Sequence, residues 1–161
     1  MKKFIKEALP YIVILLLVFI IRTFIVTPAG VDGPSMQETL YTNDIVLINK
    51  LNKNNVQRYD ILVVKYKNER LVKRLIAMPG ETIKCEEGII YINGEEKSNE
   101  YGYGKNIDFS EVKLGDDEYF VIGDNRSDSF DSRFFGPIKK DKIIGTTNFI
   151  IFPFNRFGKV N

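Results

Sequence analysis

The sequence has no histidine and only one cysteine, Cys85, among its 161 residues. No Ser-His or Cys-His pair can therefore form, and a zinc site lacks its usual ligands. One thiol forms no internal disulfide, so the fold depends on packing alone. We expect neither a metal nor a cofactor, and the base for any nucleophilic serine has to be a lysine, a carboxylate or a tyrosine.

An excess of positive charge is also missing from most of the chain. The formal net charge is +2, and the residues before the main domain carry +3 of it, which leaves 19 basic and 20 acidic groups in the domain. No stripe of arginine and lysine with interleaved aromatic residues occurs, so we expect no nucleic acid partner. The charged residues before the domain are Lys2, Lys3, Lys6, Glu7 and Arg22.

The longest apolar stretch, residues 8–26, reads ALPYIVILLLVFIIRTFIV. As a helix it would span about 28 Å, close to the ~30 Å hydrocarbon core of a bilayer. Pro10 suits the first helical turn, and Arg22 can extend its charge to the interface. Lysines precede this run and no basic residue follows Arg22 until Lys50, so the positive-inside rule keeps the N-terminus in the cytoplasm. The predicted layout is that of a single-pass type II protein of the plasma membrane. It has a cytoplasmic segment 1–7, a transmembrane anchor 8–26 and an extracytoplasmic β-rich domain 27–161.

A cleaved signal peptide is the alternative for this segment, because Thr27-Pro28-Ala29 places small residues at a suitable spacing after it. The run is longer than the usual apolar region of a signal peptide, and Pro28 disfavours cleavage beside it. Self-cleavage near Ala29 stays open if the chain is a protease.

After Leu40 the helical period ends and short β-branched runs take over. Asn93-Gly94 indicates a hairpin turn, and residues 97–117 are predicted to be a long loop. No helical crossover separates the runs, so the expected fold class is mostly β. We expect an antiparallel, strongly bent sheet or barrel-like domain preceded by one transmembrane helix. The predicted strands are 44–48, 60–66, 71–77, 82–85, 89–92, 118–122 and 143–152.

Ser35 follows Gly33-Pro34 just beyond the apolar run. Glycine and proline favour a turn, which leaves the hydroxyl projecting and the neighbouring backbone N–H groups free to face an oxyanion. A plain linker turn is the alternative. Ser35 is thus a candidate nucleophile whose base must come from the β-rich chain that follows.

Lys73 and Arg74 interrupt the apolar run 71–77. Arginine is effectively never deprotonated, whereas a buried lysine can lose its proton. Lowering a lysine pKa from ~10.4 to near 7 takes roughly 4 kcal/mol of desolvation, within the range known for buried amines. Lys73 is therefore the candidate base for Ser35, and the alternative is a solvated pair of cations on an edge strand.

Residues 123–136 read GDNRSDSFDSRFFG. Asp124 and Asp128 have the spacing of calcium-loop ligands, but Arg126 between them and the lack of a glycine at the sixth position argue against calcium. The interleaved Asp, Arg and hydroxyl groups indicate instead a hydrogen-bonded, ion-paired platform beneath a site without a metal. A polar surface turn is the alternative.

Together these segments resemble the type I signal peptidases. Three motifs occur in the family's order: Gly-x-Ser-Met-x-x-Thr-Leu from Gly33, Val-Lys-Arg-Leu-Ile from Val72, and Gly-Asp-Asn-Arg-x-x-Ser-x-Asp-Ser-Arg-x-x-Gly from Gly123. Asn43-Asp44-Ile45-Val46 resembles the remaining box. The resemblance runs from the anchor to about Phe152 and is greatest to the compact single-anchor members typical of Gram-positive bacteria.

The resemblance implies a membrane-bound serine endopeptidase, signal peptidase I, that removes signal peptides from exported preproteins after small residues of the Ala-x-Ala type. Ser35 would form an acyl-enzyme and Lys73 would be its base. The partners implied are secretory signal peptides, membrane lipid and the Sec export pathway.

The resemblance also implies supporting roles within the platform. Ser129 matches a serine that hydrogen-bonds the lysine amine and orients it. Asp131 with Arg133, and Asp124 with Arg74, match two supporting salt bridges.

Three positions depart from the family pattern. Gly33 stands where some members carry a serine whose hydroxyl donates to the oxyanion, so that donor has no side chain here. Glu38 replaces the usual proline, which can loosen the turn or put a carboxylate near the site. Glu81 replaces the commoner aspartate, a mild change.

Two other classes of function stay open. Self-cleaving SOS repressors have a similar Ser-Lys β domain, but they are cytoplasmic and carry a DNA-binding segment or an arm, and the anchor and near-neutral domain oppose that reading. A catalytically silent, membrane-anchored β binding module is the non-enzyme alternative, motivated by Gly33 and Glu38.

Overall fold

The computed structural model describes residues 2–97 and 101–160, with side chains from residue 7 onward. Parts of three predicted ranges therefore lie outside the described residues: the segment 1–7, the loop 97–117 and the domain 27–161. The elements are the helices α1 (Lys2–Ile20) and α2 (Ser132–Phe135), the π-helical segment Ile21–Ile25, the 3₁₀ turns Leu51–Asn54, Lys140–Lys142 and Phe154–Arg156, and the strands β1 (Val26–Gly30), β2 (Ile45–Asn49), β3 (Ile61–Tyr66), β4 (Glu69–Ala77), β5 (Thr82–Glu86), β6 (Ile89–Ile92), β7 (Glu95–Lys97), β8 (Phe109–Lys113), β9 (Glu118–Ile122), β10 (Ile138–Lys139), β11 (Ile143–Thr146), β12 (Phe149–Phe152) and β13 (Gly158–Lys159).

The N-terminal helix carries the apolar run but has different ends from those predicted. α1 begins at Lys2, since the residues before the apolar run are good helix formers, so Pro10 lies inside the helix and not in its first turn. The π-helical segment then leads into β1, whose first residue is Val26. The span Glu7–Ile25 has a mean hydropathy of 2.5 and is not buried, which makes it the one helix of the described chain that is long and apolar enough to cross a membrane.

Two antiparallel sheets follow the helix. The larger has the strand order β10-β9-β4-β3-β11-β2-β12-β13 with β1 paired to β2, and the smaller has the order β7-β6-β5-β8. Register shifts between β4 and β9, between β3 and β11 and between β2 and β12 bend the larger sheet. The predicted mostly antiparallel, strongly bent fold class is confirmed, and the sheet remains open without closing into a barrel.

The strand prediction is wrong in several places, and the short strands β7, β10 and β13 are absent from it. The sequence does not predict β1, which pairs along its whole length with β2. β8 lies within the predicted loop 97–117, where it pairs with β5. The predicted strand 143–152 is two strands, because Thr147 turns to donate its N–H to the Ile61 carbonyl and its hydroxyl to the Leu47 carbonyl, after which β12 pairs with β2.

One of the buried apolar clusters positions the segment between β1 and β2. Met36 and Leu40 are inserted into this cluster and are 1% and 0% exposed. Burying a side chain of this size contributes about 1.5–3 kcal/mol. The other members are Val31, Val46, Ile61 and Ile150.

Candidate active site

Ser35 lies in a tight segment between β1 and β2, residues 33–40, which we call the nucleophile turn. The Gln37 N–H donates to the Pro34 carbonyl at 3.0 Å, and the Leu40 N–H donates to the Met36 carbonyl at 2.7 Å. The buried side chains of Met36 and Leu40 fix the turn to the core, while Ser35 itself is half-buried. The hydroxyl is therefore carried by a backbone with little freedom to move, which excludes a plain linker turn.

Asn125 holds the nucleophile turn from the opposite side. Its backbone N–H donates to the Ser35 carbonyl at 3.0 Å and its side-chain amide donates to the Pro34 carbonyl at 3.3 Å. Sequence reasoning missed this residue, and its place beside Asp124 in the motif block is the one signal for it. The two bonds orient the peptide groups on either side of the serine.

The amine of Lys73 reaches the serine from β4. This strand lies between β3 and β9 in the sheet, and the lysine is 3% exposed. Its Nζ lies 2.6 Å from Ser35 Oγ and 3.1 Å from the carbonyl oxygen of Val72. The alternative of solvated cations on an edge strand is thus wrong for both Lys73 and Arg74, which is 2% exposed.

Burial lowers the pKa of Lys73 from 10.5 to about 8, because the buried amine loses its hydration. The Asp131 carboxylate raises this pKa, the Arg133 guanidinium lowers it, and the Asp124 carboxylate raises it, in that order of size. The value lies above the predicted 7, since the two carboxylates favour the charged amine. At pH 7 roughly a tenth of the amines are neutral and able to accept a proton.

Arg74, the neighbour of Lys73, forms a buried pair with Asp124. Its Nε and a terminal nitrogen contact the two carboxylate oxygens at 2.8 and 2.7 Å. The Thr39 hydroxyl donates to the same carboxylate at 2.6 Å, and Arg74 also donates to the Tyr59 carbonyl at 2.9 Å. The pair therefore connects β4 and the end of β9 with the nucleophile turn.

Asp131 and Arg133 form a second buried pair, again through two contacts of 2.8 Å each. Asp131 also accepts the Ser129 hydroxyl at 2.6 Å and the Gly123 N–H at 3.0 Å. The expected hydrogen bond between Ser129 and Lys73 is replaced by other contacts. The Ser129 hydroxyl donates to Asp131, and the Lys73 amine contacts Ser35 and the Val72 carbonyl.

Gly123 allows these groups to approach one another. A Cβ at this position would meet the Ser129 side chain and, at 2.5 Å, the carbonyl oxygen of Ser35. Only a residue without a side chain leaves space for Ser129 and Ser35 on its two sides. The glycine at the start of the motif block is thus a packing requirement that sequence reasoning did not assign.

A cleft of about 330 Å³ lies between the nucleophile turn and β4, and Ser35, Lys73, Gly33 and Phe130 line it. Within residues 2–97 and 101–160, the Ser35 N–H donates to no protein acceptor, so it can face a substrate carbonyl. Gly33 has a φ of +89°, and a Cβ there would meet nothing within 4 Å. Its backbone thus favours glycine, and it offers no side-chain donor. The same described residues contain no group of three metal-ligating side chains.

Glu38 has a φ of +77°, a left-handed conformation that is strained for a residue with a side chain. Proline has its φ fixed near −65° and cannot adopt this backbone. The Glu38 side chain is exposed, and the charges that act on Lys73 come from other residues. Glu38 in place of the family's proline therefore suits the left-handed backbone of this turn. It does not bring a carboxylate to Lys73.

We expect Glu38→Pro to lower the free energy of unfolding by more than about 1 kcal/mol, because the turn has to rearrange to accommodate the ring. The matched variant Glu38→Gly accepts the left-handed backbone and should be at least as stable as the wild type. Thermal unfolding measures both. Equal stability of the two variants would contradict the left-handed conformation at residue 38.

Sequence similarity to known proteins extends over nearly the whole chain. The family model described as "Signal peptidase, peptidase S26" matches residues 2–152. The chain belongs to this family. A signal peptidase I from Bacillus amyloliquefaciens is 39% identical over 162 residues, which cover 92% of this chain and 88% of that relative. Signal peptidase I S from Bacillus subtilis (strain 168) is 35% identical over 175 residues, which cover 99% of this chain and 95% of the relative.

The fold of this peptidase S26 chain is similar to a solved member. The crystal structure of a signal peptidase I from Enterococcus faecalis V583 is 33% identical and superposes with a TM-score of 0.52, covering 57% of this chain and 96% of that one. Together with the family match, this confirms the resemblance stated from the three motifs.

Proposed function

We propose that this chain is a membrane-bound signal peptidase I that hydrolyses signal peptides from exported preproteins by a Ser-Lys dyad. The observation that carries the proposal is the 2.6 Å contact between Lys73 Nζ and Ser35 Oγ, made by an amine whose burial lowers its pKa to about 8. A serine nucleophile needs an adjacent base, and in this chain without histidine the Lys73 amine is in position to be that base.

In the reaction, neutral Lys73 accepts the proton of the Ser35 hydroxyl as Oγ attacks the scissile carbonyl carbon. The resulting ammonium returns a proton to the leaving amine, and the mature protein departs from an acyl-enzyme on Ser35. Lys73, neutral again, activates the water that hydrolyses the ester. The Ser35 N–H, which donates to no acceptor among residues 2–97 and 101–160, supplies one donor to the oxyanion.

The supporting residues act through the dyad. Asp131, held by Arg133 and Ser129, provides the carboxylate with the largest charge effect on the Lys73 amine. Arg74 and Asp124 hold β4 against the nucleophile turn through Thr39. Gly33 keeps the backbone open at the mouth of the cleft.

The apolar helix and the charges around it support the proposed location. In this proposal the span Glu7–Ile25 anchors the chain in the plasma membrane, and the N-terminus, with its lysines, stays in the cytoplasm. The catalytic domain, residues 27–161, then faces the outside, where signal peptides emerge from the Sec pathway within reach of membrane lipid. The family match over residues 2–152 disfavours both a cytoplasmic repressor and a silent binding module.

Cleavage of a secretory precursor by the detergent-solubilised protein tests this function. We expect cleavage after a site of the Ala-x-Ala type, and loss of cleavage when the residue before the scissile bond becomes a large one, because the cleft is small, about 330 Å³. A protein that folds and binds the precursor without cutting it would support the binding module instead.

A further inference from the structure

A further ion pair, in addition to the two at the active site, lies near the C-terminal end of the nucleophile turn. Arg156, in the 3₁₀ turn after β12, donates from Nε to Asp44 Oδ1 at 3.1 Å, and a terminal nitrogen lies 3.0 Å from Asp44 Oδ2. Asp44 is 2% exposed. Arg156 belongs to none of the sequence motifs and lies beyond residue 152, where the family match ends.

The same guanidinium binds the nucleophile turn directly. It donates to the Thr39 carbonyl at 3.0 Å and lies 4.3 Å from the centroid of the Tyr41 ring. Asp44 in turn accepts the Tyr41 N–H at 2.8 Å. Arg156 therefore closes a network that joins the end of the turn to the C-terminal part of the chain.

Thr39 is the residue on which the two ion pairs meet. Its hydroxyl donates to Asp124 at 2.6 Å, and its carbonyl accepts from Arg156 at 3.0 Å. Because both its side chain and its backbone are held, this end of the turn has little freedom. Asn125 holds the other end at the Ser35 carbonyl.

We propose that Arg156 is a positioning residue, which keeps the Ser35 hydroxyl aligned with the Lys73 amine by fastening Thr39. The inference rests on the proposed function. Loss of Arg156 releases Thr39 and thereby changes the alignment of the dyad. Because Arg156 touches neither Ser35 nor Lys73 among the described contacts, its loss leaves the burial of Lys73 unchanged. A displacement of a reacting group by about 1 Å can cost about 100-fold in rate.

The test compares Arg156→Gln with wild type in cleavage of a signal-peptide substrate, with kcat, KM and the pH profile measured separately. We expect kcat to fall about 10- to 100-fold, because the alignment is lost. KM should stay within about twofold and the pH inflection should not move, because substrate contacts and lysine burial are retained. Arg156→Lys, which keeps the charge but not the forked contact, should recover part of kcat.

The matched control is Arg58→Gln. Arg58 has a comparable exposure of 25% against 29% for Arg156, and its described partners, Glu81 and the Ile76 carbonyl, lie outside the nucleophile turn. Its loss should leave kcat unchanged. Amide hydrogen exchange gives an independent readout: Arg156→Gln should speed exchange at the Tyr41 amide, and Arg58→Gln should not.

The outcomes separate the two proposals. If the wild type cleaves and Arg156→Gln cleaves equally fast, the positioning role alone is overturned. The same holds if Arg156→Gln and Arg58→Gln are both slowed in proportion to their loss of stability. Wild type that does not cleave overturns the proposed function and this role with it. If Arg156→Gln does not fold, Arg156→Lys decides: an unchanged kcat overturns the proposal, and a reduced kcat with unchanged KM and pH inflection supports it.

Discussion

Cleavage of a secretory precursor falls by at least about 10⁴-fold in Ser35→Ala and in Lys73→Met, because each variant removes one member of a pair that acts as a unit. Lys73→Arg is expected to be equally inactive, since a guanidinium keeps the positive charge but cannot accept a proton. Rates of precursor cleavage in detergent measure all three. The loss is in kcat, because the dyad acts on the bond that reacts.

Lys73→Met is also expected to raise the melting temperature, which would show that this inactive variant is folded. The wild-type amine is largely protonated at pH 7 although it is buried, and removing that charge should raise the melting temperature. Ser127→Ala and Lys65→Ala, which remove an exposed hydroxyl and an exposed amine, serve as controls and should cleave at the wild-type rate. Wild-type activity in Ser35→Ala or in Lys73→Met would remove the dyad from the account.

Asp124→Ala is expected to destabilise the protein by about 3–5 kcal/mol, because it removes the carboxylate that makes two contacts with the buried Arg74 guanidinium. A domain of this size is stable by only about 5–15 kcal/mol, so the melting temperature should fall by roughly 10–20 °C. Thermal unfolding followed by circular dichroism measures the change. The Thr39 hydroxyl loses its acceptor in the same variant, so cleavage should fall as well.

The matched control is Asp141→Ala, which breaks an ion pair of similar length with Lys142 on the exposed surface. Such pairs contribute little, so the melting temperature should barely change. The double variant Arg74→Met with Asp124→Leu removes both buried charges of the pair, so part of the stability should return. An Asp124→Ala variant as stable as Asp141→Ala would contradict the importance of the buried pair.

The sequence predicted the chemistry of the site better than its contacts. Ser35 and Lys73 are recognisable because histidine is absent and because a lysine lies in an apolar run. Asn125, Thr39 and Gly123 are not recognisable in this way, since their importance arises from bonds to parts of the chain that are distant in sequence. Residue type alone did not predict the direction of the Ser129 hydroxyl either.

The fold shows the same limit. Strands such as β3 and β4 carry apolar runs that contain β-branched residues, and their predicted ends lie within two residues of the observed ones. β8 has a mixed sequence, FSEVK, and exists because β5 offers it a pairing edge. The lysine pKa depended likewise on carboxylates brought close by folding, which is why it lies near 8 and not near 7.

The central claim is that the neutral form of the buried Lys73 amine removes the proton of Ser35. Its most direct test is the pH dependence of kcat/KM between pH 5 and 10, because this ratio reports ionisations of the free enzyme. A base works only when deprotonated, so we expect the rate to be constant above pH 8 and to fall about tenfold per unit below it. The expected inflection lies at about 8, the pKa of Lys73. A profile that is flat down to about pH 5 would contradict the account.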